Sequence, residues 1–180
     1  MHVRFSTCLG LPVTDESVEI VYGRISGILL HPDTGKVEGF YVAIPRFLGE
    51  ETLFLSSNDI LRWGRRVTVR SGEVLAPPEE FFRLRTLLED GRKILHQLIR
   101  TESGRRLGRC RDVQFNTEAM HLEWLFPRRW WRWSLPLPAS DIVEVRPDAI
   151  VVRDPPVPVA EKEKEGVVQP GILPVLPETV

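Results

Sequence analysis

The chain has 180 residues, of which 42% are hydrophobic, and its 24 basic and 25 acidic side chains give a net charge of −1. This length fits one ordinary domain or two small ones, and the apolar content excludes a wholly disordered chain. The charge is unevenly spread, because the segment Arg83–Arg132 holds 12 basic and six acidic residues while the rest of the chain is acidic. The near-zero total is therefore a cancellation between regions.

No feature of the sequence predicts export, membrane insertion or a metal site. The apolar stretch at the start is too short and broken for a signal peptide, and no apolar run approaches the roughly 18 residues of a membrane span. Cys8 and Cys110 have no CxxC companion, so we expect free thiols in a reducing compartment, the cytoplasm. The four histidines lack metal-ligand spacing, and we therefore expect no metal and no cofactor.

Short strands are predicted along most of the chain up to Asp154. The segment Val18–Leu30 is β-branched and aliphatic, and its glycines predict a curved or bulged strand. His31–Gly35 has turn chemistry, and the alternation over Val37–Ile44 then predicts a hairpin. Two further short strands are predicted at Thr52–Leu55 and Val67–Arg70.

This pattern recurs in the second half of the chain. The pair Gly23-Arg24 matches Gly108-Arg109 at an offset of 85, and residues 37–60 then match at an offset of 82 without a gap. Six of those 24 positions are identical, whereas composition alone gives about one or two. We therefore predict a duplicated all-β unit whose first turn is three residues shorter in the second copy. In this alignment Phe40, Val42 and Ile44 correspond to Leu122, Trp124 and Phe126, and the strand Val67–Arg70 corresponds to Ile150–Arg153.

The region between the copies has the residues that are typical of the start and the end of a helix. Two prolines precede a Glu-Glu pair, Gly91 ends the run, and Phe81, Leu84 and Leu88 fall on one stripe. After Asp154, six prolines and a Glu/Lys run predict an extended tail. The predicted organisation is a first barrel over residues 1–76, a linker helix over 77–91, a second barrel over 92–154 and a disordered tail over 155–180.

The repeated unit resembles the PRC-barrel domain. The second copy carries the resemblance best, in Gly108-Arg109, in the Leu-Pro-Leu-Pro-Ala-Ser-Asp-Ile-Val turn of residues 135–143, and in the closing strand Ala149–Val152. The first copy matches through Gly23-Arg24 and Leu53–Ile60. The resemblance implies two small β-barrels in tandem, of the family that includes the C-terminal domain of the ribosome maturation factor RimM and the reaction-centre H subunit. It implies a binding platform, and the sequence carries no nucleophile elbow, P-loop or dinucleotide fingerprint, so we expect no enzyme activity.

The strongest candidate for a partner-binding site is a segment rich in arginine and tryptophan. In an extended strand Trp131 and Trp133 share one face while Trp130 and Arg132 share the other, so one face can pack on the barrel and the other can face a partner. Arginine and tryptophan are enriched at interface hot spots. The alternative is that the tryptophans cover the barrel, with arginines stacked over them. The candidate residues are Arg128, Arg129, Trp130, Trp131, Arg132 and Trp133.

A second basic group precedes this segment. Arg109 and Arg111 lie two residues apart on one predicted strand, so they share a face, and Arg105-Arg106 lie close by. We regard Arg109 and Arg111 as further candidates for partner binding. The alternative is a salt-bridge network between the basic second barrel and the acidic first one.

These observations predict a non-enzymatic adaptor that binds another protein. The alternative is an RNA or ribosome-precursor binding factor that acts through the basic second barrel, in which case affinity falls steeply with salt. A third interpretation is peripheral contact with a membrane surface, without a transmembrane segment. A monomer is favoured, because two copies of the unit can pair within one chain.

Overall fold

Two β-sheets, one from each half of the chain, make up the structure. The computed structural model describes residues 1–16 and 20–155, so the predicted tail beyond Pro155 and the first residues of the strand predicted from Val18 lie outside the described part. The prediction of an all-β fold built from two similar units is confirmed.

The chain begins with strand β1 (His2–Arg4) and the one-turn helix α1 (Phe5–Cys8). The first sheet then follows, with strands β2 (Pro12–Asp15), β3 (Val21–Leu30), β4 (Val37–Arg46), β5 (Gly49–Ser56), β6 (Ile60–Trp63), β7 (Val67–Val69) and β8 (Leu75–Ala76). Their order in the sheet is β6-β7-β2-β3-β4-β5-β8, and only the β2–β7 pair is parallel. We call β2–β8 repeat one, and its β3–β4 pair is the predicted hairpin.

The second sheet has the same plan. Its strands are β9 (Leu98–Thr101), β10 (Arg106–Asn116), β11 (His121–Arg129), β12 (Arg132–Trp133), β13 (Leu137–Pro138), β14 (Ile142–Val145) and β15 (Ala149–Val152), which we call repeat two. Their order is β12-β11-β10-β9-β15-β14, with β13 also on β11. Again one pair is parallel, β9 with β15.

The two repeats share even their irregularities. The pairing register breaks after Ile25 in β3 and after Cys110 in β10, which lie at the offset of 85. It breaks again after Ile60 in β6 and after Ile142 in β14, at the offset of 82. Because β-bulges are position-specific features of a fold, their recurrence indicates that the whole unit is duplicated.

The structure corrects the predicted alignment of the repeats at the first turn. Leu30 pairs with Val37 in repeat one, and Phe115 pairs with Leu122 in repeat two, so the two turns have the same length. The expectation of a shorter first turn was therefore wrong. The offset of 85 continues through β11 and falls to 82 only after it.

Burial explains why this register is adopted. It matches Phe40 with Leu125, and both side chains are fully buried, whereas the predicted register matched Val42 with Trp124, which is 39% exposed. Gly39 pairs with Ser56 in repeat one, and the corresponding Trp124 pairs with Pro138 in repeat two. Three residues are thus missing from repeat two in the hairpin that follows β11.

The strand β1 joins the second sheet although it opens the chain. It pairs antiparallel with β10, and Val3 lies opposite Phe115. The buried carboxylate of Asp112 holds the segment, because it accepts hydrogen bonds of 2.9 Å from Arg4 Nε and from the backbone N–H of Ser6. The range predicted as the first barrel therefore contributes its first strand to the second sheet.

One hydrophobic core runs through both repeats. Phe40 and Trp63 of repeat one each contact Phe115 of repeat two, with ring centroids 5.7 Å apart in both cases. All three rings lie within or against the buried cluster. The two units are therefore joined by apolar packing as well as by the linker.

The first turns of the two repeats also bind each other. The backbone N–H of Val37 donates to the carbonyl oxygen of Met120, and the backbone N–H of Leu122 donates to the carbonyl oxygen of Gly35. The donor–acceptor distance is 2.8 Å in both bonds. Because Met120 and Leu122 are the equivalents of Gly35 and Val37, the contact is reciprocal. Reciprocal contacts are the mark of a two-fold relation, here between two halves of one chain.

The segment predicted as a linker helix over residues 77–91 is only partly helical. Pro78–Glu80 and Phe82–Leu84 form 3₁₀ turns, and only Arg85–Glu89 forms an α-helix, α2. Phe81 lies between them at φ −82° and ψ 81°, and its ring packs on Phe54 with centroids 5.1 Å apart. This anchoring breaks the continuous helix. Within residues 1–16 and 20–155 no helix is long and apolar enough to cross a membrane.

Candidate binding surface

The predicted arginine–tryptophan segment forms a hairpin at the edge of the second sheet. In it Arg128 pairs with Trp133 and Arg129 pairs with Arg132, which leaves Trp130 and Trp131 as the turn. The strand β12 is the last in its sheet, so its outer side has no strand partner within the described residues. We call residues 128–133 the Arg/Trp hairpin.

The two turn residues of this hairpin are exposed. Trp130 and Trp131 are 78% and 73% exposed, and their rings contact only edge to face, with centroids 5.7 Å apart. Trp130 has a φ of +58°, at a turn position where glycine is usual and a bulky side chain is strained. Exposed aromatic area and backbone strain at one point are features of binding sites more often than of stabilising ones.

The equivalent hairpin of repeat one is similar in shape and different in charge. Its turn residues Phe47 and Leu48 are almost fully exposed. The strands beside them carry an ion pair between Arg46 and Glu51. Both repeats therefore present two apolar side chains at a hairpin tip, and among residues 1–16 and 20–155 the arginines beside the tip form an ion pair in repeat one but none in the Arg/Trp hairpin.

Trp133 is covered by two guanidinium groups. The Cζ atoms of Arg4 and Arg128 lie 5.5 Å from its ring centroid, and Arg4 also lies 4.1 Å over the ring of Phe126. The predicted alternative of arginines stacked on tryptophan is thus found at this residue. Sequence reasoning missed Arg4, because only the addition of β1 to the second sheet brings it near a residue so distant along the chain.

Like charges face each other across the strands of this surface. Arg109 lies opposite Arg128 in the β10–β11 pair, and Arg129 lies opposite Arg132 in the β11–β12 pair. Like charges in directly opposite positions destabilise a sheet. The two opposed pairs therefore do not stabilise the second sheet by their charges.

These arginines border a groove of about 420 Å³. It is lined by Leu98, Arg106, Gly108, Arg109, Arg111, Arg128, Arg129 and Trp130, without an acidic side chain, and we call it the arginine groove. In the described part of the chain none of its five arginines forms a salt bridge. The Nε atom of Arg128 is buried and has no hydrogen-bond partner among the same residues.

The structure brings the two predicted basic groups together. Arg109 and Arg111 line the same groove as Arg128 and Arg129, as their shared strand face predicted. The alternative of a salt-bridge network between the barrels is not found for them among residues 1–16 and 20–155. The alternating faces expected over residues 130–133 are replaced by a turn, because the chain reverses at Trp130 and Trp131.

Comparison with known protein families gives one result. Residues 2–76 match the model of the PRC-barrel domain. The chain is thus similar to the PRC-barrel domain over these residues, which make up less than half of its length. Repeat two lies outside the matched residues, and it reproduces the strand order and the bulges of repeat one. A search of curated proteins finds no match for the chain.

Proposed function

We propose that this protein is a non-enzymatic adaptor that binds an acidic segment of another protein through the Arg/Trp hairpin and the arginine groove. One observation carries the proposal: the opposed pairs Arg109–Arg128 and Arg129–Arg132 have no counter-charge within the described residues. A carboxylate-bearing partner supplies that charge, and guanidinium groups bind carboxylates in bidentate fashion.

The exposed tryptophans give the second element of recognition. Trp130 and Trp131 stand at the tip beside the groove, and burying an aromatic side chain of this size is a large apolar gain. The apolar anchors supply affinity, and the arginines select an acidic neighbourhood. The expected ligand is therefore a segment with an apolar patch flanked by Asp or Glu.

Location and oligomeric state are part of the proposal. Cys8 and Cys110 are free, buried thiols, in keeping with a reducing compartment such as the cytoplasm. The two repeats already satisfy their two-fold contact within one chain, which supports action as a monomer.

RNA is the second candidate ligand, and the same groove favours it. Unpaired arginines can bind phosphates, and an exposed Trp130 can stack on an unpaired base. The two ligands differ in salt dependence, because each phosphate contact releases condensed counterions. A steep loss of affinity with salt supports RNA, and a shallow one supports an acidic protein segment.

The test compares partner recovery by the full chain and by the double variant Trp130→Ala/Arg132→Ala. The matched control is Phe47→Ala/Leu48→Ala, which removes the equivalent exposed tip of repeat one. We expect the first variant to lose its protein partners and the control to retain them, with nuclease treatment leaving recovery unchanged. Equal yields from both variants would refute the proposed surface, and loss on nuclease treatment would favour RNA.

A further inference from the structure

Repeat two shows how this fold accepts an added strand. The edge of β10 is covered first by β9, which pairs with Arg106–Arg109, and then by β1, which pairs with Gln114–Asn116. The added strand is antiparallel to its host. Under it the side chain of Val113 is fully buried.

The equivalent edge in repeat one has no such strand. The strand β2 pairs with β3 only as far as Arg24, and Ile25 makes the last backbone bonds on this side, to Gly10 and Leu11. Beyond it, no described strand pairs with Ser26–Leu30 on the side away from β4. An unpaired edge of this length is a ready template for another chain.

Burial differs between the two edges at one position. Ile28 is only half-buried, whereas its equivalent Val113 is fully buried. Leu29 and its equivalent Gln114 are both half-buried.

The strands β2 and β9 are related by an offset of 86, since Pro12 pairs with Arg24 and Leu98 pairs with the equivalent Arg109. The same offset relates β1 to Leu88–Asp90. Leu88 and Glu89 belong to the helix α2, and none of the three pairs with β3.

A groove of about 410 Å³ lies along the uncovered edge. It is lined by Ser26–Leu30 of β3 and by Arg92–His96, together with Phe5 of α1 and Tyr41 of β4. By the two-fold relation between the repeats, residues 88–90 would pair with β3 as β1 pairs with β10. Leu88 and Glu89 form part of the helix α2 instead. The groove on β3 therefore corresponds to the site that β1 occupies on β10, and no described strand occupies it.

We propose that this groove binds an extended segment of a partner protein, which adds to β3 as an antiparallel strand. Main-chain hydrogen bonds hold such a segment, and its alternate side chains provide selectivity. The strand β1 shows which side chains such a segment needs. Val3 points to the core while His2 and Arg4 point outward. The partner segment, which we call the guest, therefore carries apolar residues at alternate positions. The site is separate from the Arg/Trp hairpin and does not depend on the function proposed there.

Charge indicates the sign of the guest. On β10 the guest is cationic, and it is held by Glu118 at the N-terminal ammonium and by Glu123 at His2. The equivalent acids of repeat one are already paired, Asp33 with Arg92 and Glu38 with Lys36.

The groove itself adds a positive charge, because Lys93 lines it and forms no salt bridge among the described residues. A cationic guest is therefore disfavoured. The expected segment is therefore an acidic strand, with carboxylates at the outward positions.

The test uses the full chain and two synthetic peptides. The first is acetyl-Glu-Val-Glu-Val-Glu-Val-amide, and the second replaces each Glu by Lys. We expect the acidic peptide to slow hydrogen exchange at those amides of residues 26–30 that point away from β4, and to bind about tenfold more tightly than the basic one. If the amides that point away from β4 already exchange slowly in the free chain, the chain covers its own edge and the proposal is overturned.

Two controls separate strand addition from other modes of binding. N-methylation of alternate peptide amides removes donors without removing side chains, and should weaken binding about tenfold if the main chain is used. The variant Leu29→Glu should repel the acidic peptide while Leu29→Lys retains it, and glutamine at the equivalent Gln114 shows that a polar residue fits this position. Equal affinity of the methylated peptide, or protection outside residues 26–30, would refute the proposal.

Discussion

The opposed arginines of the Arg/Trp hairpin predict that a single substitution stabilises the fold while weakening binding. In Arg132→Glu, the like pair with Arg129 becomes an opposite pair. Cross-strand charge pairs contribute roughly 0.2–1 kcal/mol, so replacing a repulsion by an attraction should stabilise the protein by about 1 kcal/mol. For a chain of this size that corresponds to a rise in melting temperature of about 2–4 °C.

The assay is thermal unfolding followed by circular dichroism at low and high salt. Both side chains are exposed, so the gain should be largest near 0.01 M salt and nearly absent at about 1 M, where charges are screened within roughly 3 Å. The matched control is Glu51→Arg in repeat one, which converts the ion pair with Arg46 into a like pair and should lower the melting temperature by a similar amount. A lower melting temperature for Arg132→Glu at low salt would refute the interpretation of this surface.

Three further predictions concern strain, the added strand and the buried thiols. Trp130→Gly should be more stable than Trp130→Ala by about 1 kcal/mol in urea unfolding, because glycine adopts the observed φ of +58° without strain; equal stabilities would contradict this. Asp112→Ala should cost about 3 kcal/mol and speed hydrogen exchange in β1, because it removes the charged acceptor of hydrogen bonds from Arg4 Nε and from the backbone N–H and hydroxyl of Ser6; unchanged exchange in β1 would contradict the anchoring role. Burial raises the pKa of Cys110 from 9.0 to about 12, so the unfolded thiol ionises first and the stability it contributes is full below pH 9 and falls as the pH rises toward 12. Urea midpoints between pH 8 and 10 should therefore fall more for the wild type than for Cys110→Val, and parallel curves would count against this assignment.

The strands could be predicted from the sequence because local patterns define them. The alternation over Val37–Ile44 and the turn residues before it are found as β4 and its hairpin with β3. The partner of β1 could not be predicted in this way. Nothing in His2–Arg4 itself specifies β10, since that pairing depends on Asp112 and on a distant edge.

The alignment error shows where sequence identity misleads. Pro45-Arg46 and Pro127-Arg128 are identical, and aligning them gave the offset of 82 for the strand β11, where the structure has 85. The register of β11 is determined by burial. The alignment from identity puts Trp124 at the position of Val42, but Val42 is fully buried and Trp124 is exposed. The choice of the Arg/Trp hairpin as a candidate site does not depend on the register, since it rests on the clustering of residue types, and it stays a prediction.

Several acids of repeat two lie at the end of β10 and β11 that is away from the arginine groove, and this placement explains why the groove arginines form no ion pair among the described residues. At the end near the first turn, Glu118 and Glu123 hold the N-terminal ammonium and His2, and the buried Asp112 holds Arg4. These three acids therefore bind groups of β1 and of the residue before it, and they do not contact the arginine groove. The arginine groove lies at the opposite end of β10 and β11, where the aligned guanidinium groups have no acid to meet. A net charge near zero for the whole chain is therefore compatible with a strongly positive local surface, which is the basis of the proposed binding of an acidic segment.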